Sequence, residues 1–169
     1  MDILEETYFK IISSKTASLF SAATRVGAII SNIDTKYKEA LEFYGKNLGL
    51  TFQIADDTLD YNSELKVFGK KIGNDFFEGK VTLPIILLYQ KIGSEEKENL
   101  KSLFNKVTRN KEELEYVLSL IKKNNIIKEC YKKAEHFINL SYNSLSIFED
   151  SKEKNLLKNL TSFSIERNF

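Results

Sequence analysis

One cysteine, one proline and seven glycines among 169 residues leave few ways to staple or break this chain. The lone Cys130 excludes an intramolecular disulfide framework. With no basic or catalytic partner near it in sequence, it reads as a small core-edge residue rather than a nucleophile. So little proline and glycine suits long helices with few interruptions, and strand-like alternation is nowhere sustained, so the expected fold class is all-α. A surplus of one charge sign is missing too. The net charge is +1 with 29% charged residues, which signals neither nucleic acid nor an anionic membrane as partner. The longest apolar run, Leu83 to Tyr89, is far too short to be a transmembrane segment. The N-terminus has no charged-then-apolar signal pattern, so a cytoplasmic location is expected.

The spacing of apolar residues predicts helices near 2–31 and 35–60, a loop with short turns over 61–80, then helices from about Thr82 to Gly93 and from Ser94 to about Val107. Leu114, Val117, Leu118 and Ile121 mark a fifth. Ile127, Tyr131, Ala134, Ile138, Leu145 and Phe148 form the stripe of a sixth, and a last helix near 152–166 carries Leu156, Leu157 and Leu160. Pro84 fits a first helical turn. Ser94 offers an N-cap, with Glu95 and Glu96 placed to favour the helix dipole. Gly45 and Gly49, four residues apart, let two helices approach closely. No repeat, linker or low-complexity tract divides the chain, so one domain is expected. Lys122-Lys123 and Lys132-Lys133 read as solvated faces, and His136 has no ligand set at metal spacing.

What stands out is Phe52-Gln53-Ile54-Ala55-Asp56-Asp57-Thr58-Leu59-Asp60, with carboxylates at i, i+1 and i+4 in an otherwise apolar helix. Gln53, Asp56, Asp57 and Asp60 fall within one helical arc of roughly 100°. Leu41, Tyr44, Leu48, Phe52, Ala55 and Leu59 make the neighbouring apolar stripe. Three anions on one face repel each other, and a divalent cation relieves that repulsion. Hard oxygen ligands in this arrangement suit Mg²⁺ bound together with substrate phosphates. The other reading of the acids alone is a solvated patch. Lys15 also interrupts a stripe of Tyr8, Ile12, Leu19, Ala22, Val26 and Ile29, so it either snorkels to solvent or serves a buried partner.

Downstream come Gly69-Lys70-Lys71-Ile72-Gly73-Asn74-Asp75 and Glu78-Gly79-Lys80-Val81-Thr82-Leu83-Pro84, glycine-punctuated segments whose amides and ammonium groups suit polyphosphate. Together with Tyr8 to Phe20, which contains Lys15-Thr16, this order resembles the C-terminal half of the trans-isoprenyl (polyprenyl) diphosphate synthases. The second aspartate-rich motif of that family is F-Q-x-x-D-D-x-x-D. The closing Leu160 to Arg167 resembles the family's last helix. The resemblance implies a partial isoprenoid-synthase helical bundle, with residues 1–169 as the C-terminal portion of a single synthase domain. It also implies a dimer interface in the region neighbouring Gly45 and Gly49, so a homodimer is expected.

The same resemblance implies roles. Asp56, Asp57 and Asp60 would hold Mg²⁺ on an allylic diphosphate, and Lys15, Lys70 and Lys80 would contact that diphosphate. Gln53 and Thr16 would orient substrate near the ionising carbon. The chemistry implied is ionisation of the allylic diphosphate followed by attack of isopentenyl diphosphate on the cation. Val81 stands where the family often has proline. The E-G-K-x-T-L-P region looks most like the medium- and long-chain synthases, octaprenyl and decaprenyl among them.

Absent are a first D-D-x-x-D motif, paired arginines and the family's grip on isopentenyl diphosphate. There is no second Asp-Asp and no Arg-Arg in the sequence. The isolated chain is therefore expected to be inactive, whether it is half of a split gene, a degenerate fragment or a mis-bounded chain. It would work as a prenyltransferase half that associates with a missing N-terminal half, or serve as a non-catalytic helical subunit of a complete synthase.

Overall fold

The computed structural model describes residues 4–62 and 72–165, and the regular elements among them are all helical. They are α1 (Glu5–Ile12), a π-helical segment (Ser13–Ala17), α2 (Ser18–Ile30), α3 (Thr35–Leu59), α4 (Asn74–Glu78), α5 (Leu83–Lys91), α6 (Ser94–Asn105), α7 (Lys111–Lys123), α8 (Ile126–Ser144), a 3-10 turn (Leu145–Ile147) and α9 (Lys152–Phe163). The all-α expectation holds. No helix of the described residues is long and apolar enough to cross a membrane. Two asparagines terminate helices: Asn32 (φ 50°) follows α2 and Asn125 (φ 54°) follows α7, both in the left-handed conformation that asparagine tolerates better than most residues.

The chain forms two compact units, one from described residues of 4–8 and 56–131, the other from 9–55 and 132–165. In the second, Tyr44, Leu48 and Leu145 make a core walled by Phe20, Leu41, Phe148 and Leu157. The Tyr44 hydroxyl donates to the Leu157 carbonyl at 2.8 Å, so this large ring is buried without losing its hydrogen bond. Helices α2 and α3 meet at the two glycines. A Cβ on Gly45 would overlap Thr24 Oγ1 and stand 2.5 Å from the Phe20 carbonyl oxygen, and one on Gly49 would stand 2.6 Å from Ala17 Cα. The small-residue face is thus occupied by the chain's own α2 and π-helical segment.

The π-helical segment also overturns the stripe expected through Lys15. A π turn holds one residue more than an α turn, so side chains beyond it are rotated by about 100° from the extrapolated register. Leu19, Ala22, Val26 and Ile29 consequently face solvent. Ala17 and Ala28 are buried instead, and Phe20 and Thr24 half-buried. In α9 it is Leu157 and Thr161 that turn inward, while Leu156 and Leu160 are exposed. Among the described residues, most large exposed apolar side chains belong to this unit; the other shows Leu4, Phe77, Val107 and Tyr116.

In the first unit, α5 is buried from Leu83 through Leu88, an apolar helix packed all round. Its Pro84 sits in the first turn, as expected, after an extended Thr82. Gly93 rather than Ser94 is the N-cap of α6. A glycine offers no side-chain acceptor, and the Glu96 carboxylate reaches back to accept from the Gly93 N–H at 3.3 Å. Asn110 and Glu113 close a full capping box on α7, each bond 2.9 Å. Cys130 is wholly buried, and burial pushes its thiol from 9.0 up to about 12. Burial also raises the phenol of Tyr8, with the neighbouring Asp57 charge adding to it. Groups raised in the folded state give their full stabilisation below the unfolded value and lose it as pH climbs toward the folded one. The melting temperature should therefore hold steady to pH 9.0 and fall as pH rises toward 12. In Cys130→Ala the fall should begin nearer 10.0, the ordinary value of the tyrosines. Thermal melts across that range check this.

Candidate functional site

Helix α3 carries Gln53, Asp56 and Asp57 and stops at Leu59, so Asp60 is the first residue beyond it. The three acids are not equivalent. Asp57 is 6% exposed and Asp60 3%, whereas Asp56 is half-buried. Asp57 Oδ2 accepts from the Tyr8 hydroxyl at 2.8 Å. Asp60 Oδ2 accepts from the Asp75 N–H at 2.8 Å, and its carbonyl accepts from the Gly73 N–H at 2.8 Å. Asp60 thereby ties the start of α4 to the end of α3, with Gly73 in the left-handed conformation (φ 84°) that this return requires. Two of the three carboxylates turn into the protein on specific donors, which a solvated acidic patch does not do.

Asp75 belongs to the same cluster. The buried Tyr61 phenol is raised well above its ordinary value by burial first, then by the charges of Asp75, Asp60 and Asp57. Its hydroxyl lies beside Thr82 Oγ1, yet neither closes a normal hydrogen bond. Sequence reasoning read Asp75 only as part of a glycine-rich loop. The available signal was its place five residues before Lys80, one short helix away. Lys80 is held by its own turn, pairing with Glu78 at 2.6 Å and Asp75 at 3.4 Å, and its ammonium is raised chiefly by the Glu78 hydrogen bond. Arg109 shapes that turn. Its guanidinium lies over the rings of Phe76 and Phe104, donates to the carbonyls of Phe77 and Phe104, and sits where a Cβ on Gly79 (φ 73°) would be 2.7 Å from Nη2.

In the other unit, Lys15 and Thr16 lie on the π-helical segment. Segments of this kind occur often at functional sites because they re-aim side chains. Lys15 is exposed, so it is not the buried lysine that its spacing allowed. Thr16 Oγ1 donates to Gln53 Oε1 at 2.6 Å, which fixes the amide with its NH₂ end turned away from Thr16. Lys70 lies outside the described residues. Among the described residues no three acidic, histidine or cysteine groups converge in a metal-holding arrangement.

A Polyprenyl synthetase family profile matches residues 1–121. The chain is 33% identical over 166 residues to an all-trans-nonaprenyl-diphosphate synthase (geranyl-diphosphate specific) of Rhodobacter capsulatus, covering 98% of this chain and 50% of that protein. It is similar to the crystal structure of a polyprenyl synthase from Caulobacter crescentus CB15 complexed with calcium and isoprenyl diphosphate, at a TM-score of 0.93 and 32% identity over 99% of this chain and 51% of the other. A decaprenyl diphosphate synthase from Rhodobacter capsulatus gives 0.91 at 32% identity, with coverage of 99% and 52%. The chain therefore spans about half the length of the relatives it matches. With a profile match that includes the Lys15-Thr16 segment, the acidic end of α3 and the Glu78-Gly79-Lys80 turn, this chain belongs to the polyprenyl synthetase family.

Proposed function

We propose that this chain furnishes the second aspartate-rich diphosphate site of a trans-prenyltransferase that condenses an allylic diphosphate with isopentenyl diphosphate. Residues 1–169 then form the C-terminal portion of one synthase domain. The observation that carries the proposal is that Asp57 and Asp60, at the end of α3, turn inward onto specific donors from Tyr8 and Asp75, with Asp56 half-buried beside them. The Tyr8 phenol donates to Asp57 and the Asp75 amide donates to Asp60. The carboxylates offer only hard oxygen and stop short of a closed cage, which fits magnesium, an ion that completes its shell with phosphate oxygens and water. Asp56, Asp57 and Asp60 would hold it, and when bound it supplies charge neutralisation on the departing pyrophosphate.

The remaining work falls to side chains of this chain. Lys15, Lys70 and Lys80 place point charges on the diphosphate oxygens, and Lys80 exchanges its Glu78 and Asp75 partners for phosphate as substrate arrives. Gln53, fixed by Thr16, presents its amide dipole to the carbon that loses its leaving group. A second reading, a non-catalytic subunit associated with a complete synthase, is favoured by the exposed Leu19, Val26, Ile30, Leu156 and Phe163 in one unit. Co-expression with a polypeptide carrying a first D-D-x-x-D motif, assayed for incorporation of radiolabelled isopentenyl diphosphate, separates the two. Incorporation only with both pieces present supports the enzyme. No incorporation from a folded complex removes it.

A further inference from the structure

We propose that Tyr8 is a positioning residue for the acid cluster, setting the Asp57 carboxylate for a metal–diphosphate ligand. The inference rests on the function proposed above and adds to it a residue with no metal-ligating atom of the usual kind. Tyr8 is 3% exposed, comes from a helix separate from α3, and spends its one donor on Asp57 Oδ2 at 2.8 Å across 49 residues of sequence. A buried carboxylate with two oxygens rotates about its terminal torsion unless something holds it, and one short bond from a rigid ring fixes that torsion. Side chains that hold a ligand from behind in this way typically change metal affinity 10–100-fold when removed.

The test is Mn²⁺ binding in the presence of inorganic pyrophosphate, read from the free-ion electron paramagnetic resonance signal, on the whole 169-residue chain. Wild type is compared with Tyr8→Phe, Asp56→Asn and Tyr44→Phe. Tyr44 is the control because it too is buried and makes one 2.8 Å bond through its hydroxyl, but to a carbonyl in the other unit. The expected result is a Kd about tenfold weaker in Tyr8→Phe and unchanged in Tyr44→Phe, with both variants melting at similarly lowered temperatures. A Tyr8→Phe Kd within about twofold of wild type, where Asp56→Asn has lost binding, overturns the positioning role and leaves the proposed function standing. Wild-type binding that is absent, or equal to that of Asp56→Asn, overturns both. Should Tyr8→Phe fail to fold, the comparison moves into a Gly27→Ala background, where the added Cβ meets nothing within 4 Å and removes a glycine from the interior of α2.

Discussion

Asp56→Ala is expected to abolish isopentenyl incorporation by the reconstituted enzyme, a loss on the order of a hundredfold or more, while leaving the fold intact. The position matters because the three acids carry different loads. Asp57 accepts from the buried Tyr8 hydroxyl, so Asp57→Ala would leave that donor unsatisfied at a cost of about 1–3 kcal/mol. The Asp60 carboxylate anchors the Asp75 amide, so Asp60→Ala would loosen the return of the chain into α4. In either variant, lost activity would mix damage to the site with damage to the fold. Asp56 is half-buried at the edge of the cluster, so its truncation disturbs less packing than that of Asp57 or Asp60. Steady-state incorporation and a thermal melt on the same preparation check both halves of the expectation. Lost activity with an unchanged melt assigns Asp56 to the chemistry, and retained activity removes it.

The second large effect is on stability. Glycine inside a helix costs about 1 kcal/mol relative to alanine, so Gly→Ala in α2 or α3 would ordinarily stabilise. At Gly27 nothing lies within 4 Å of the added Cβ, and Gly27→Ala should gain about that much. At Gly45 the added carbon would stand 2.5 Å from the Phe20 carbonyl oxygen, and backbone cannot step aside as a flexible side chain can. Either α2 moves off α3 or the Thr24 hydroxyl bond to the Leu41 carbonyl, 2.6 Å long, is broken. Overpacking of this kind costs about 1–3 kcal/mol and outweighs the propensity gain. Gly45→Ala is therefore expected to lower the melting temperature and Gly27→Ala to raise it. Denaturant unfolding of the two variants would show midpoints displaced in opposite directions. Gly49, whose Cβ would stand 2.6 Å from Ala17 Cα, should behave like Gly45.

These glycines mark how far the sequence could be read. That two helices approach at Gly45 and Gly49 was visible from their spacing. Which helix approaches was not, because spacing cannot distinguish a neighbour in the same chain from one in another. The acidic end of α3 and its apolar stripe were legible because α3 is regular: Tyr44, Leu48 and Ala55 are buried as the 3.6-residue period requires. The same extrapolation failed at Lys15, where the π-helical segment adds a residue and turns Leu19 and Val26 outward. Helical propensity in Ser13-Ser14-Lys15-Thr16-Ala17 does not separate α from π, so nothing local announced the change. Asp75 and Tyr8 escaped as members of the acid cluster because their contacts with it are tertiary. Asp75 is 15 residues from Asp60, and Tyr8 49 from Asp57.

The most direct measurement is paramagnetic broadening of backbone amide signals by Mn²⁺ added with pyrophosphate to the ¹⁵N-labelled chain. Signals from Gln53 to Tyr61 and from Gly73 to Asp75 should broaden first and recover when Mg²⁺ is added in excess. Broadening that begins instead at the exposed acids of α6 and α7, or that ignores pyrophosphate, would contradict a diphosphate site at the end of α3.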